Sequence, residues 1–312
     1  MKWSQGDATV GNIGAVLMSG ASGLVGTAVR HALAARQQPV LQLVRGAAHG
    51  SGQMTWNPAA RPAVTDAGAL EGCAAAIHLS GANVAGRRWT AAYQKEIAAS
   101  RVGSTGALAE MLAGLRTKPR VLVVASAVGI YGDRGDELLE ESSAAGAGFL
   151  ADLCAEWETA TRAAEEAGIR VVHARFGVVL DKSDGALAKM LPVFRAGLGG
   201  RLGSGRQWMS WVSMHDAVAA VLFAIDTDSV RGAMNLTAPN PVTNAEFTRV
   251  LARRLHRPAV LPAPAFALRL AFGQMADEAL LASQRAVPLK LLETGFRFAH
   301  PTLESALAAE LE

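Results

Sequence analysis

The sequence predicts an α/β fold, a doubly wound parallel sheet with a smaller, mostly helical C-terminal part. Three observations predict it. Apolar runs at 14–19, 39–44, 74–79, 120–126 and 169–175 alternate with helical patterns at 24–36, 90–115 and 148–167. Runs of this kind are buried on both faces, as strands of a parallel sheet covered by helices are. The first run passes directly into Gly20-Ala-Ser-Gly23-Leu-Val-Gly26, a glycine turn opening an apolar helix. Past Val179 the pattern changes, with 181–211 rich in Gly and basic residues and the later helices broken by Pro258, Pro262, Pro264 and Pro288.

Right-handed crossovers make this alternation a Rossmann arrangement, in which ligands bind at the carboxyl ends of the strands. The run 14–19 and the helix carrying Val25, Val29 and Leu33 flank the glycine turn. Glycines there allow a tight turn and close backbone approach, while the helix start offers free N–H groups to a pyrophosphate. The run 39–44 ends at Arg45, where an NAD-specific fold needs Asp or Glu for the ribose hydroxyls. No acidic residue occurs from Ala8 to Thr65. The planar fork of Arg45 suits a 2′-phosphate, so NADP(H) is the expected cofactor; otherwise Arg45 is a solvated strand-end cation. The later runs direct attention to residues after Leu79, Ser126 and Arg175. Segment 181–211 reads as a helix plus an irregular loop, 214–225 as an amphipathic helix and 233–237 as a short strand. The expected organisation is an NADP-binding Rossmann domain over 12–180, to which 212–236 returns. The expected substrate or lid domain comprises 181–211 and 237–312.

At 312 residues the chain fits one large and one small domain, and half its residues are apolar. The formal net charge is +3. No continuous basic run points to nucleic acid, and pairs such as Arg87-Arg88 and Arg253-Arg254 read as solvated helix faces. No uncharged apolar stretch reaches the length of a membrane span, so no membrane partner is expected. Cys73 and Cys154 have neither metal-ligand spacing nor a CxxC arrangement, and read as small core hydrophobes of a reduced, cytoplasmic protein. No metal site is expected; Asp136, Glu137, Glu140 and Glu141 read as solvated loop charges. Residues 1–14 lack the apolar core of a secretory signal, and the first eleven read as a loose extension. Oligomeric state is not legible.

Several motifs together resemble a known family. The glycine turn, His78-Leu-Ser-Gly81 and Ser126-Ala-Val-Gly-Ile-Tyr131-Gly132 are similar to extended short-chain dehydrogenases/reductases. Arg87-Arg-Trp89, Ser100-Arg101, Arg175-Phe-Gly-Val-Val-Leu180 and Gly203-Ser-Gly-Arg-Gln-Trp208-Met-Ser-Trp211 resemble an atypical branch of them. So do Asn235-Leu-Thr-Ala-Pro239 and Thr243-Asn-Ala-Glu-Phe247. That branch is called the epimerase family protein or NAD-dependent epimerase/dehydratase branch, and the resemblance covers about 13–308. It implies NADPH on a Rossmann domain with Gly20, Ser22, Gly23, Leu24 and Gly26 at the pyrophosphate and Arg45 at the adenosine phosphate. It further implies Leu79 and Ser80 on the adenine-ribose side, with Glu96, Arg101 and Leu180 also touching the cofactor.

One departure bears on chemistry. Most of the superfamily uses Tyr-x-x-x-Lys, the lysine depressing the tyrosine pKa so that the phenol moves a proton while the cofactor carries hydride. This chain has two tyrosines; Ile97 stands four after Tyr93 and Gly135 four after Tyr131. The helix that should carry the pair, beginning Phe149-Leu-Ala-Asp, has neither Tyr nor Lys. Three readings stay open. In the first, a redox enzyme uses other proton carriers, with Tyr131 and Ser126 facing the nicotinamide and Asp133, Trp208, Ser210, Trp211, His215 and Asp216 nearby. Against that, Tyr131 can be a half-buried aromatic bonded to backbone, and His215-Asp216 an ordinary helix start. In the second, the protein senses NADPH without turnover. In the third it is an epimerase, the reading least suited to the missing tyrosine. Loop Gly203-Ser-Gly205 with Arg201 and Arg206 reads equally as an anion cradle or a flexible lid.

Overall fold

A computed structural model describes residues 14–312; the expected loose extension over 1–11 lies outside them. β1 (Val16–Ser19) leads into α1 (Leu24–Ala35), β2 (Val40–Val44) and β3 (Gln53–Thr55), a strand the sequence reading missed. β4 (Ala75–His78), α2 (Ala91–Ala98), α3 (Ser104–Ala113) and β5 (Val121–Ala127) follow. After β6 (Leu138–Leu139) come α4 (Phe149–Thr159), α5 (Arg162–Glu166), β7 (Arg170–Phe176) and β8 (Val178–Leu180). The chain continues through α6 (Gly185–Arg195), β9 (Trp208–Met209), β10 (Trp211–Ser213), α7 (Met214–Asp226) and β11 (Gly232–Leu236). It ends with β12 (Val242–Thr243), α8 (Asn244–Leu255), α9 (Ala265–Phe272), β13 (Arg285–Ala286), α10 (Leu289–Glu293) and α11 (Leu303–Leu311).

Seven of these strands form one parallel sheet in the order β11-β7-β5-β4-β1-β2-β3. The direction of winding reverses between β1 and β4, and a doubly wound sheet opens its ligand crevice at that switch point. Alternate residues of each strand serve different layers. Val16, Met18, Ile77 and Val123 pack with Val29 and Leu33 of α1 and Ala217 and Val221 of α7. Leu17, Ala76, Leu122 and Val124 pack the other face with Leu108 and Leu112 of α3. Each such large side chain, fully buried, contributes about 1.5–3 kcal/mol. Because both faces are covered, the strands read as unbroken apolar runs. A separate cluster holds the C-terminal lobe, joining Leu187 and Leu191 of α6, Trp211, Phe247 and Leu251 of α8, and Leu303 and Leu307 of α11.

Two predicted helices are divided. The pattern over 90–115 becomes α2 and α3 around a π-turn at Ala99–Gly103. Ser100 and Ser104 hydroxyls donate there to the carbonyls of Ile97 and Ser100, local bonding that competes with a regular helix. The pattern over 148–167 splits at Ala160-Thr161, where the Thr161 hydroxyl donates to the Glu158 carbonyl. Both faces keep their apolar registers, so the periodicity was informative and its continuity misleading. No helix among the described residues is long and apolar enough to cross a membrane.

Candidate functional site

β1 delivers the chain to Gly20 at φ +72°. A Cβ there would lie 2.6 Å from the Leu79 carbonyl carbon and 2.8 Å from the Ser80 nitrogen, so only glycine lets the turn press against the end of β4. Gly26 is tighter still: its Cβ would stand 2.0 Å from the Gly20 carbonyl oxygen. Gly23 caps α1 and donates its N–H to that oxygen at 3.1 Å. The helix has no side-chain cap and no acid in its first turn. Its first N–H groups and positive dipole end therefore face the crevice without a side-chain acceptor, an arrangement that suits an anion. Ser22 and Gly23 are exposed and Leu24 is half-buried beside them.

The structure brings four further predicted residues to this edge. Leu79 and Ser80 back the turn directly. Arg45 directly follows β2, is exposed and forms no ion pair among the described residues. Arg101 lies in the π-turn, its guanidinium 5.2 Å above the Trp157 ring and against Gly81, where a Cβ would meet its Cζ at 3.0 Å. Burial pulls the Arg101 pKa below its ordinary value, and no carboxylate pairs with it among the described residues. A half-buried cation without a counter-ion beside the crevice fits a phosphate. Two predicted residues are placed otherwise. Glu96 is exposed on α2 and pairs with Arg87 at 3.6 Å. Leu180 is fully buried in the C-terminal core with Trp211 and Phe247, so its side chain does not reach a cofactor.

Further along the same edge lies a cleft of about 290 Å³ between the end of β5, the start of α4 and the C-terminal lobe. Gly129, Asp133 and Leu150 line one side, and Arg269, Asp277 and Glu278 the other. The Glu278 carboxylate accepts the Leu150 N–H at 2.8 Å, which ties the lobe to the first turn of α4. Leu150 and Cys154 are four residues apart on α4, the helix expected to carry a Tyr-x-x-x-Lys pair, and α4 contains neither Tyr nor Lys. Leu150 offers the cleft only carbon. Cys154 is buried, and burial pushes its thiol up to about 12. Sequence reading did not single out Leu150 or Glu278, because neither belongs to a residue type that advertises chemistry by itself.

Tyr131 and Ser126 correct the expectation that they face the nicotinamide. Tyr131 is wholly buried; its hydroxyl donates to Asn235 Oδ1 at 2.7 Å and accepts from Arg175 at 2.9 Å. Burial raises its pKa, outweighing the nearby Arg175 charge, the opposite of what a proton-donating phenol needs. Ser126, also buried, donates to Glu158 at 2.7 Å. Glu158 and Arg175 form a two-pronged ion pair at 2.8 and 2.9 Å. Burial alone would raise the Glu158 carboxyl, but the Arg175 hydrogen bonds and charge hold it below its ordinary value. Both candidates are members of a closed polar network that ties β5, β7 and β11 to α4.

The remaining candidates are mostly structural. His78 bonds Ser19 and Ser104 inside the core, and burial drops its pKa to about 3, so it is neutral. Asp216 accepts the N–H groups of Ala299 and His300 at 2.8 and 2.9 Å, fastening that turn to the start of α7. His215 and His300 bring ring nitrogens beside it, all within 4.8 Å. Trp208 donates to Asp136, and Trp211 is core.

The NAD dependent epimerase/dehydratase family matches residues 16–236, and a domain of unknown function, DUF1731, matches 263–310. An epimerase family protein of Mycobacterium bovis is 47% identical over 294 residues, 94% of this chain and 96% of that one. The epimerase family protein SDR39U1 of Homo sapiens is 35% identical over 295 residues, 94% of this chain and 98% of that one. Among solved structures, human SDR39U1 (isoform2) with NADPH superposes with a TM-score of 0.87 at 33% identity, covering 94% of this chain and 98% of that one. A nucleoside-diphosphate sugar epimerase from Corynebacterium glutamicum gives 0.78 at 34%, covering 96% of this chain and 58% of that one.

Proposed function

From the premise that this chain belongs to the NAD-dependent epimerase/dehydratase family, we propose that it binds NADPH along the glycine turn and acts as an oxidoreductase on a small molecule held in the Leu150 cleft. The observation that carries this reading is the pairing of a glycine cradle, closed to any Cβ at Gly20 and Gly26, with Arg45 where an NAD-selecting acid would stand. The NADPH held by the human relative supports the same choice. The first N–H groups of α1 would hold the pyrophosphate, Arg101 would add charge beside it, and Arg45 would meet the 2′-phosphate. When bound, the nicotinamide supplies or accepts a hydride. The proton must come from elsewhere than α4, and Asp133, Asp277 and Glu278 are the carboxylates that line the cleft. Free, buried Cys73 and Cys154 accord with a reducing, cytoplasmic setting.

Incubation with NADPH and a small-molecule extract in deuterated water tests the reading. NADPH loss with a newly reduced product supports it and names the substrate. Deuterium incorporation without NADPH loss makes the protein an epimerase. Tight binding with neither change overturns turnover and leaves a sensor, the reading favoured by the absence of Tyr and Lys from α4. Cofactor choice has its own check. Arg45→Ala should weaken NADPH about ten- to hundredfold and leave NADH unchanged, since a lost charged hydrogen bond is worth ~1.5–3 kcal/mol. Equal weakening of both cofactors removes the 2′-phosphate assignment.

A further inference from the structure

The charges of this chain are unevenly placed. Residues 185–215 and 247–276 contain nine of its 30 Lys and Arg and none of its 27 Asp and Glu, so the remainder has an excess of six acids. The fold lays these two stretches together. The Leu261 N–H donates to the Gly199 carbonyl at 3.1 Å, the Ala263 N–H to the Arg201 carbonyl at 2.9 Å, and Arg257 Nε to the Arg195 carbonyl at 3.0 Å. Four of the nine cations pair with acids from outside the stretches: Arg249 with Glu246, Arg253 with Glu304, Arg254 with Glu312, and Arg269 with Asp277. Lys189, Arg195, Arg201, Arg206 and Arg257 form no ion pair among the described residues.

The same two stretches carry most of the exposed large apolar side chains. Val193, Leu198, Val260, Leu261, Phe266 and Leu270 are each about half exposed or more, with Val260 and Leu270 at 76%. Phe266 and Leu270 stand one turn apart on α9 and share a side. Val193 and Leu198 are joined by a backbone hydrogen bond, and the 199–201 backbone connects them to Val260 and Leu261. Arg201 and Val260 line a groove of about 480 Å³ within this surface.

We propose that this face docks peripherally on an anionic lipid surface, the cations meeting headgroup phosphates while Phe266, Leu270 and their aliphatic neighbours enter the headgroup–acyl boundary. An apolar strip set among unpaired cations is the pattern of interfacial binding. A second copy of this chain fits poorly, because it would bring the same five unpaired cations against one another. Nucleic acid fits the charge but leaves Val193, Leu198, Val260, Leu261 and Leu270 without a partner, since base stacking calls on aromatic side chains and Phe266 is the one aromatic among the six. Sequence reading expected no membrane partner because it looked for a spanning segment. Here the surface is assembled by folding from two stretches about thirty residues apart.

Flotation of the full chain with vesicles tests this. Phosphatidylcholine vesicles containing phosphatidylglycerol should capture the protein, pure phosphatidylcholine should not, and added salt should release it. Arg201→Glu with Arg257→Glu, and separately Phe266→Asp with Leu270→Asp, should each cut binding by roughly tenfold or more. Circular dichroism and the thermal midpoint identify any variant that fails to fold; the other pair then decides. Equal binding to both vesicle types, no binding to either, or unchanged binding by both folded variants overturns the proposal. So does retention on nucleic acid, or dimerisation abolished by Leu270→Asp, in the absence of vesicle binding.

Discussion

The glycine turn after β1 and the start of α4 open on the same edge of one sheet, but they are built from different materials. At the turn every contribution is backbone: Gly20 and Gly26 leave room where a Cβ would collide, and α1 presents N–H groups with no side-chain cap. At α4 the contribution must come from side chains, and Leu150 and Cys154 supply neither a phenol nor an ammonium. A binding site made of backbone persists wherever the fold and its glycines persist. A catalytic pair of side chains depends on two residue identities that the fold does not register. The fold therefore accounts for holding a nucleotide much more directly than for using one.

Breaking the backbone side of the comparison should give the largest effect. Gly26→Val places a branched side chain where even a Cβ lies 2.0 Å from the Gly20 carbonyl. The turn must open, and NADPH affinity by fluorescence titration should fall at least about a hundredfold, equivalent to ~2.7 kcal/mol. Affinity within a few-fold of the parent would show that the turn does not hold the cofactor.

On the side-chain side, the polar network beneath α4 is expected to matter for stability and not for cofactor affinity. Arg175→Met strands Glu158 and should cost about 3–5 kcal/mol in denaturant unfolding, with NADPH affinity retained by the folded fraction. The pH dependence gives a sharper check. In the parent the Glu158 carboxyl is held below 4.5, so its contribution is present above that value and is lost as pH falls through the folded pKa. Without Arg175, burial raises that carboxyl above 4.5, and the folded state then gains protons before the unfolded state does. The deficit of the variant should shrink on acidification from neutral pH. A deficit that is constant with pH would mean that packing, and not the buried charge, accounts for the loss.

This contrast also explains what was legible. The sheet was readable because strands buried on both faces must be apolar throughout, and the turn was readable because glycine spacing reports backbone geometry. β3 was not, since Gln53-Met54-Thr55 lies at the sheet edge, is only partly buried and has no apolar run. The π-turn at Ala99–Gly103 was invisible because its cause is local Ser100 and Ser104 bonding within an otherwise helical pattern, although it aims Arg101. Glu278 could not be linked to α4 from sequence: its bond to Leu150 spans 128 residues. Tyr131 was drawn to the nicotinamide by its position after β5. The deciding fact, that Arg175 and Asn235 close over its hydroxyl, depends on β7 and β11 lying beside that strand.

Tyr131→Phe is the mildest change and separates the two regions most cleanly. The hydroxyl is fully enclosed, so its removal deletes one donor and leaves Asn235 and Arg175 each short of one partner. A loss of about 1–3 kcal/mol in stability follows from the unsatisfied buried groups. Turnover on any substrate found, and NADPH affinity, should remain within about twofold, because the ring keeps its packing and the hydroxyl touches no cleft. A hundredfold fall in turnover at unchanged stability and affinity would return Tyr131 to proton transfer. It would also require the β5 end to open during the reaction, since the closed network gives the phenol no path to a substrate.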